Sequence, residues 1–368
     1  MHRLAWLCVI CCSAALAAPR AAQAPPAGAV VDRTLAAYYA GRYDEINRVL
    51  TADPNTLLTD ILWRASTWKR TWRPRRVAFT AEVVLAAARR QSRFTPELLA
   101  ALRSMTDARV DTPGTRGVGD LVEATVHKVV LAALVVTSRY TDADEYYRAI
   151  ARRIAPPGAT GATSTPALAE PRLLLAHAMT LEGHTRMLAG VTLSEGLTGV
   201  LPVRPIRGPS GGSPTLSQIV AEAHEVLKSA AQDPAVAAEA TVRDAYLYLR
   251  AGNGRQAQAL IAGMPRANDV VVSFWGGVVL ARALEAQGLT NEAAAAYEAL
   301  ARIAPGTQTV AVALAALRLK EGDRGAAQEW ADRARRTPVN RIDPWTLYWG
   351  GDARFLDSWL TILRTVPE

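Results

Sequence analysis

Residues 274–307 read FWGGVVLARALEAQGLTNEAAAAYEALARIAPGT, and their pattern decides the fold class. An apolar-periodic stretch ends at Gly288, a second runs through Ala293 and Tyr297, and Pro305 closes it. Glycine takes the left-handed backbone that ends a helix without a Cβ penalty, and proline cannot continue one. The stretch therefore predicts a helix, a tight turn and a second helix. The same marks recur on either side. Gly254, Gly288 and Gly322 are spaced by 34 residues, as are Ala259, Ala293 and Ala327, and Leu280-Ala281 returns as Leu314-Ala315. Pro338 closes the last second helix. Alanine dominates the apolar half of the composition; it is the best helix former and lets paired helices approach closely.

A 34-residue period of helix–turn–helix units resembles the tetratricopeptide repeat family. The unit 274–307 carries the likeness at Leu280, Ala281, Leu284, Gly288, Ala293, Tyr297 and Pro305, and departs from it at Leu300, where the family prefers a small residue. The unit 308–341 keeps Leu314, Ala315, Gly322, Ala327 and Ala334 and departs at Arg318. A unit near 240–266 has Tyr246, Leu247, Gly254 and Ala259, and Pro265 cuts it short. Residues 37–46 (AYYAGRYDEI) resemble the turn between the two helices of such a unit. The expected fold is all-α: antiparallel helix hairpins stacked as a tetratricopeptide-like solenoid, with a helical C-terminal cap. The resemblance implies a concave groove lined by the first helix of each unit, holding a peptide or a partner helix. Trp275, Val278, Arg282 and Glu285 are then the groove positions of the central unit. Tyr248 and Asp244 take similar places one unit earlier.

Outside the repeats the marks are more general. Residues 352–364 put Phe355, Leu356, Trp359, Leu360 and Leu363 on one helical face, after a break at Gly350-Gly351, and are expected to cover the open end of the array. Asp53-Pro54, Thr95-Pro96, Asp233-Pro234 and Asp343-Pro344 each set a capping residue before a proline, a helix-start signal. Two Pro/Gly/Ser/Thr-rich stretches, 156–166 and 202–214, read as long loops. They divide the chain into an N-terminal helical block to residue 155 with one hairpin near 30–52, middle helices at 167–201, and the repeats with their cap at 215–368.

The first residues read as a secretory signal. Leu4 to Ala18 is an apolar and small run of about fifteen residues, short of the roughly 20 that span a membrane, and residues 1–24 form the expected signal peptide. All three cysteines, Cys8, Cys11 and Cys12, lie inside it. The expected mature chain thus has no thiol for a disulfide, a zinc site or catalysis. Its expected place is the bacterial periplasm or the cell exterior. The net charge of +8, two cations of which (Arg3 and Arg20) are in the leader, favours acidic partners but is no nucleic-acid footprint.

No constellation specifies a reaction. His177 and His184 are seven apart with Glu182 between them, short of the three or four converging ligands a metal needs. Gly208-Pro209-Ser210-Gly211-Gly212 matches G-x-S-x-G, but in a Pro/Gly-rich loop with no preceding strand to strain the serine. Gly114, Gly117 and Gly119 lack the Lys-Ser/Thr pair of a phosphate loop. Asp142, Asp144 and Glu145 fit a first helical turn, where they complement the macrodipole. Residues 63–76 (WRASTWKRTWRPRR) are the most unusual stretch. Arg64, Lys69, Arg70 and Arg73 alternate there with Trp68 and Trp72. The chemistry open to them is a grip on an anionic glycan or lipid head group; the alternative is tryptophan packed between helices with solvated arginines. The expected function is that of an exported scaffold for a protein partner, with no catalysis, no cofactor, no metal and no nucleic acid.

Overall fold

The computed structural model describes residues 29–68, 73–91, 97–98, 100–101, 118–154, 171–194, 215–338, 343–348 and 353–367. Among the described residues all regular structure is helical, with no strand. The first half holds α1 (Ala29–Tyr39), α2 (Tyr43–Ala52), α3 (Pro54–Trp68), α4 (Pro74–Gln91), α5 (Val118–Val136), α6 (Tyr140–Ile154) and α7 (Pro171–Ser194). The second holds α8 (Leu216–Ala230), α9 (Ala237–Arg250), α10 (Gly254–Ala262), α11 (Val270–Ala286), α12 (Thr290–Ile303), α13 (Gln308–Lys320) and α14 (Arg324–Arg336). A five-residue helix, α15 (Pro344–Tyr348), and the C-terminal α16 (Ala353–Thr365) follow. The leader, the two long loops, the G-x-S-x-G stretch, Gly114 to Gly119 except Val118 and Gly119, and Gly350-Gly351 lie outside the described residues.

Five helix pairs are joined by one turn geometry. Gly41, Ser138, Gly252, Gly288 and Gly322 all have positive φ, between 59° and 86°. In each, the N–H of the left-handed residue bonds three residues back and the next N–H bonds five back, as in Gly288 N to Glu285 O at 3.0 Å and Leu289 N to Leu284 O at 3.0 Å. These bonds satisfy carbonyls that the helix end would otherwise leave orphaned. Five residues beyond each left-handed position a buried side chain seals the hairpin: Ile46, Ala143, Ala257, Ala293 and Ala327.

This geometry corrects the repeat register. Gly254 does not end a helix; it opens α10, and Gly252 supplies the turn. The structural spacing is therefore 36 and then 34 residues, and Ala257, not the exposed Ala259, is the sealing residue of the first C-terminal hairpin. Gly254 is small for another reason: a Cβ there would stand 2.9 Å from the Ala283 carbonyl oxygen of α11. Side chains also cap the helix starts. Thr215 and Gln218 form a reciprocal capping box on α8, and Asn253, Asp269 and Asp323 accept N–H bonds at α10, α11 and α14. The Asp233-Pro234 signal is displaced: Asp233 organises a turn through Ala235 N and Val236 N, and α9 starts only at Ala237.

Two apolar cores are present. One draws on α1 to α9 and includes α16; the other runs from α9 to α15, so α9 contributes Ala240 and Leu247 to the first and Val242 and Ala245 to the second. The C-terminal helix is thus not the cap of the hairpin array. Its apolar face, with Leu356, Trp359, Leu360 and Leu363 buried as the periodicity demands, packs on α4 and α5. Arg364 Nε bonds Glu82 Oε1 at 2.7 Å and Tyr38 Oη at 3.0 Å, and Arg75 Nε bonds the Val366 carbonyl at 3.0 Å. Arg172 stacks 4.3 Å from the Phe355 ring centroid. An amphipathic stripe states that a helix has a partner face, not which face it is.

Candidate functional site

The left-handed glycines align α9, α11 and α13. Counting ten, six and three residues back from each gives Val242, Tyr246 and Leu249 on α9, Val278, Arg282 and Glu285 on α11, and Val312, Ala316 and Leu319 on α13. Val242 and Val278 are fully buried, whereas Val312 is 53% and Leu319 59% exposed. Helix α15 packs on α11 and meets α9 through Tyr246.

The sequence 343–348 is built for that position. Asp343 accepts the N–H of Trp345 at 2.9 Å and, through its other oxygen, that of Thr309 at 2.7 Å, joining the starts of α15 and α13. Pro344 is pre-set for a first helical turn, and its carbonyl accepts Trp275 Nε1–H at 2.7 Å. Trp345 and Tyr348, three apart, stack with centroids 4.8 Å apart. Both meet Tyr246 edge-on at 5.4 and 5.2 Å, and Tyr348 meets Trp275 at 5.3 Å. Arg282 covers the outer side of Trp345, 4.7 Å from its centroid.

Beneath the rings lies a buried charge network. Arg243, 1% exposed, bonds Glu239 Oε1 at 2.9 Å, Glu182 Oε2 at 3.2 Å and the Tyr348 carbonyl at 3.1 Å. Its guanidinium also lies 4.4 Å from the Tyr348 centroid. The Tyr348 hydroxyl donates to Glu182 Oε1 at 2.6 Å. Burial opposes the Arg243 charge, but Glu239, Tyr348 and Glu182 outweigh it and hold the guanidinium protonated. For Glu182 burial is the largest influence and pushes its carboxyl up, against the pull of Arg243 and the Tyr348 hydroxyl. Two carboxylates around one guanidinium satisfy most of its donors, the condition under which a buried ion set is tolerated.

A second polar cluster joins α6, α7 and α8. Arg148 bonds Asp144 Oδ2 at 2.7 Å and both oxygens of Glu222 at 3.0 Å. His177, stacked on Tyr147 at 3.7 Å, faces Glu222 at 3.6 Å and Asp144 at 3.9 Å. Burial raises the Glu222 carboxyl, but His177 and Arg148 outweigh it and lower it to about 2. Glu182 is not part of this cluster; it turns toward α9. Among the described residues no three histidine, cysteine or carboxylate groups converge as a metal site.

The residues singled out by sequence fall in different places. Trp275 is 0% exposed, beneath α15, so nothing outside the chain reaches it while α15 is seated. Arg282 and Glu285 edge the same face; Glu285 lies 3.5 Å from the Tyr297 hydroxyl. Tyr248 and Asp244 face the other way, toward α8, where both touch His224. That misplacement follows from reading Gly254 as the turn: two residues of shift rotate a helix by about 200°. Tyr246 holds the place assigned to Tyr248. In the Arg/Trp stretch, Arg64 forms an ion pair with Asp32, and Arg73 begins the turn into α4 through Val77 N at 3.1 Å. Lys69, Arg70 and Trp72, and the Trp68 side chain, lie outside the described residues. The segment 343–348 and the partners Glu182 and Arg243 carried no periodic signal, although Asp343-Pro344 marked a helix start.

Among the described residues no helix is long and apolar enough to cross a membrane. No protein-family model matches the chain, and no curated protein matches it.

Proposed function

We propose that the chain is an exported scaffold whose C-terminal half is a tetratricopeptide-like stack of hairpins, and that it binds a peptide or helix of a protein partner on the shared face of α9, α11 and α13. The observation that carries this reading is α15 itself. A short helix seated by an aromatic pair, an N-cap carboxylate and two carbonyl bonds supports the reading that this face receives helical chain. Beyond α15, Val312, Ala316 and Leu319 form an exposed apolar row at helical spacing on α13. Glu285 and Lys320 border it and give it polar edges. A row of this kind, beside a polar rim, is where a partner gains buried area at little desolvation cost.

The test is a pair of charge insertions, Val312→Glu and Leu319→Glu. Both positions are exposed, so folding is expected to be unchanged, while the partners recovered with the unmodified chain are expected to be lost. Recovery of the same partners at the same yield by the double variant would refute this assignment.

A further inference from the structure

A cavity of about 310 Å³ opens on the α14 side of the last hairpin, independent of the face that α15 covers. Its apolar floor comes from Ala301, Pro305 and Ala311, where α12 hands over to α13. Its other wall is the outward side of α14, with Trp330, Arg333 and Arg336 at intervals of three. The Arg333 guanidinium lies 4.3 Å from the Trp330 centroid. Stacked in that way, its flat face is held by the indole and its N–H edge stays available. No carboxylate lines the cavity. Among the described residues Arg333 and Arg336 form no ion pair, although other arginines nearby do: Arg335 pairs with Asp332, and Arg318 with Glu298 and Glu321.

Cations in a last helical turn ordinarily complement the macrodipole, and Arg335 suffices for that. The other two converge on an apolar hollow. We propose that this cavity binds a small amphiphilic carboxylate: an anionic head taken by Arg333 and Arg336, and an aliphatic or flat body laid on Trp330, Ala301 and Ala311. The head group requires a fork donor, which a bidentate guanidinium supplies. The body requires an apolar surface, which Ala301, Ala311 and Pro305 supply.

The experiment is calorimetric titration of the full chain with octanoate, octylammonium and inorganic phosphate at low salt. Octanoate is expected to bind saturably, octylammonium not to bind, and phosphate to bind at least about tenfold more weakly than octanoate. The Arg333→Gln/Arg336→Gln pair is expected to weaken octanoate by about tenfold or more, and Arg335→Gln to leave it unchanged. Salt provides a test that needs no variant. Raising the ionic strength from about 0.01 M to about 0.1 M shortens the screening length from ~30 to ~10 Å and is expected to weaken octanoate binding to the unmodified chain. The proposal is overturned if octanoate does not bind, if octylammonium or phosphate binds as well as octanoate, if binding ignores salt, or if the Gln pair binds as tightly as the unmodified chain.

Discussion

The Tyr348 hydroxyl donates to Glu182 Oε1 at 2.6 Å, joining the last turn of α15 to the middle of α7 across 166 residues of chain. This one bond ties the covering helix of the hairpin face to the first-half core. Tyr348→Phe removes it and little else. The buried Glu182 then loses the donor to its Oε1 and keeps Arg243 on Oε2, at an expected cost of about 1–3 kcal/mol. Tyr348→Ala also empties the space among Tyr246, Trp275 and Arg243, raising the cost to ~3–5 kcal/mol. Chemical denaturation of the two variants checks both figures, and equal stability of Tyr348→Phe and the unmodified chain would contradict them.

Arg243 bonds both Glu182 and Glu239. Arg243→Met takes the shared guanidinium away from two buried carboxylates, and a loss of about 3–5 kcal/mol is expected. Adding Glu182→Gln and Glu239→Gln to that variant removes the stranded charges and should recover part of the loss. A triple variant no more stable than Arg243→Met would mean that the charges are not what destabilises it.

The turn geometry gives a graded series. Nothing lies within 4 Å of a Cβ added at Gly252, Gly288 or Gly322, so an alanine there meets only the backbone penalty, roughly 1–2 kcal/mol each. Gly254→Ala has ordinary backbone but meets the Ala283 oxygen, an overpacking expected to cost ~1–3 kcal/mol. Ser138 holds the same left-handed conformation with a side chain, at φ 59°. Ser138→Gly should therefore stabilise by up to about 1 kcal/mol. Thermal melts of the five variants separate these effects by sign.

The first C-terminal turn carries two glycines with different duties. Both Gly252 and Gly254 are small, one for its backbone and one for a close helix approach, and sequence spacing alone favours the second because it matches a period of 34. Helical content, the hairpins and the buried stripe of α16 were legible because each rests on local periodicity or a turn residue. The docking of α16 on α4 and α5 was not, since a stripe carries no address. Helix α15 is too short to show a period. Glu182, Glu239 and Arg243 carry no local mark of burial, because only the fold brings them into one dry space.

Acid should weaken the fold in two stages, one set by His184 on α7 and one by Glu222 on α8. His184 is buried and its imidazole is lowered below its ordinary 6.5 by desolvation, with Asp144 opposing. The unfolded chain takes up that proton first, so stability falls as pH drops below about 6.5. Glu222 is lowered to about 2 from an ordinary 4.5, so its contribution is complete above about 4.5 and lost as pH falls toward 2. Stability measured against pH should lose the upper stage in His184→Gln and the lower stage in Glu222→Gln. An unchanged profile in either variant would remove that residue from the account.

The most direct test of the binding face is site-specific photo-crosslinking in cells that make the protein, with the reactive residue placed at Val312, at Leu319, or at Val270, which is 73% exposed at the start of α11 but not in the row with them. Discrete adducts to the same protein partner from positions 312 and 319, and none from 270, are the predicted result. No adduct at 312 and 319, or the same adducts from all three positions, would contradict the assignment of this face as the partner site.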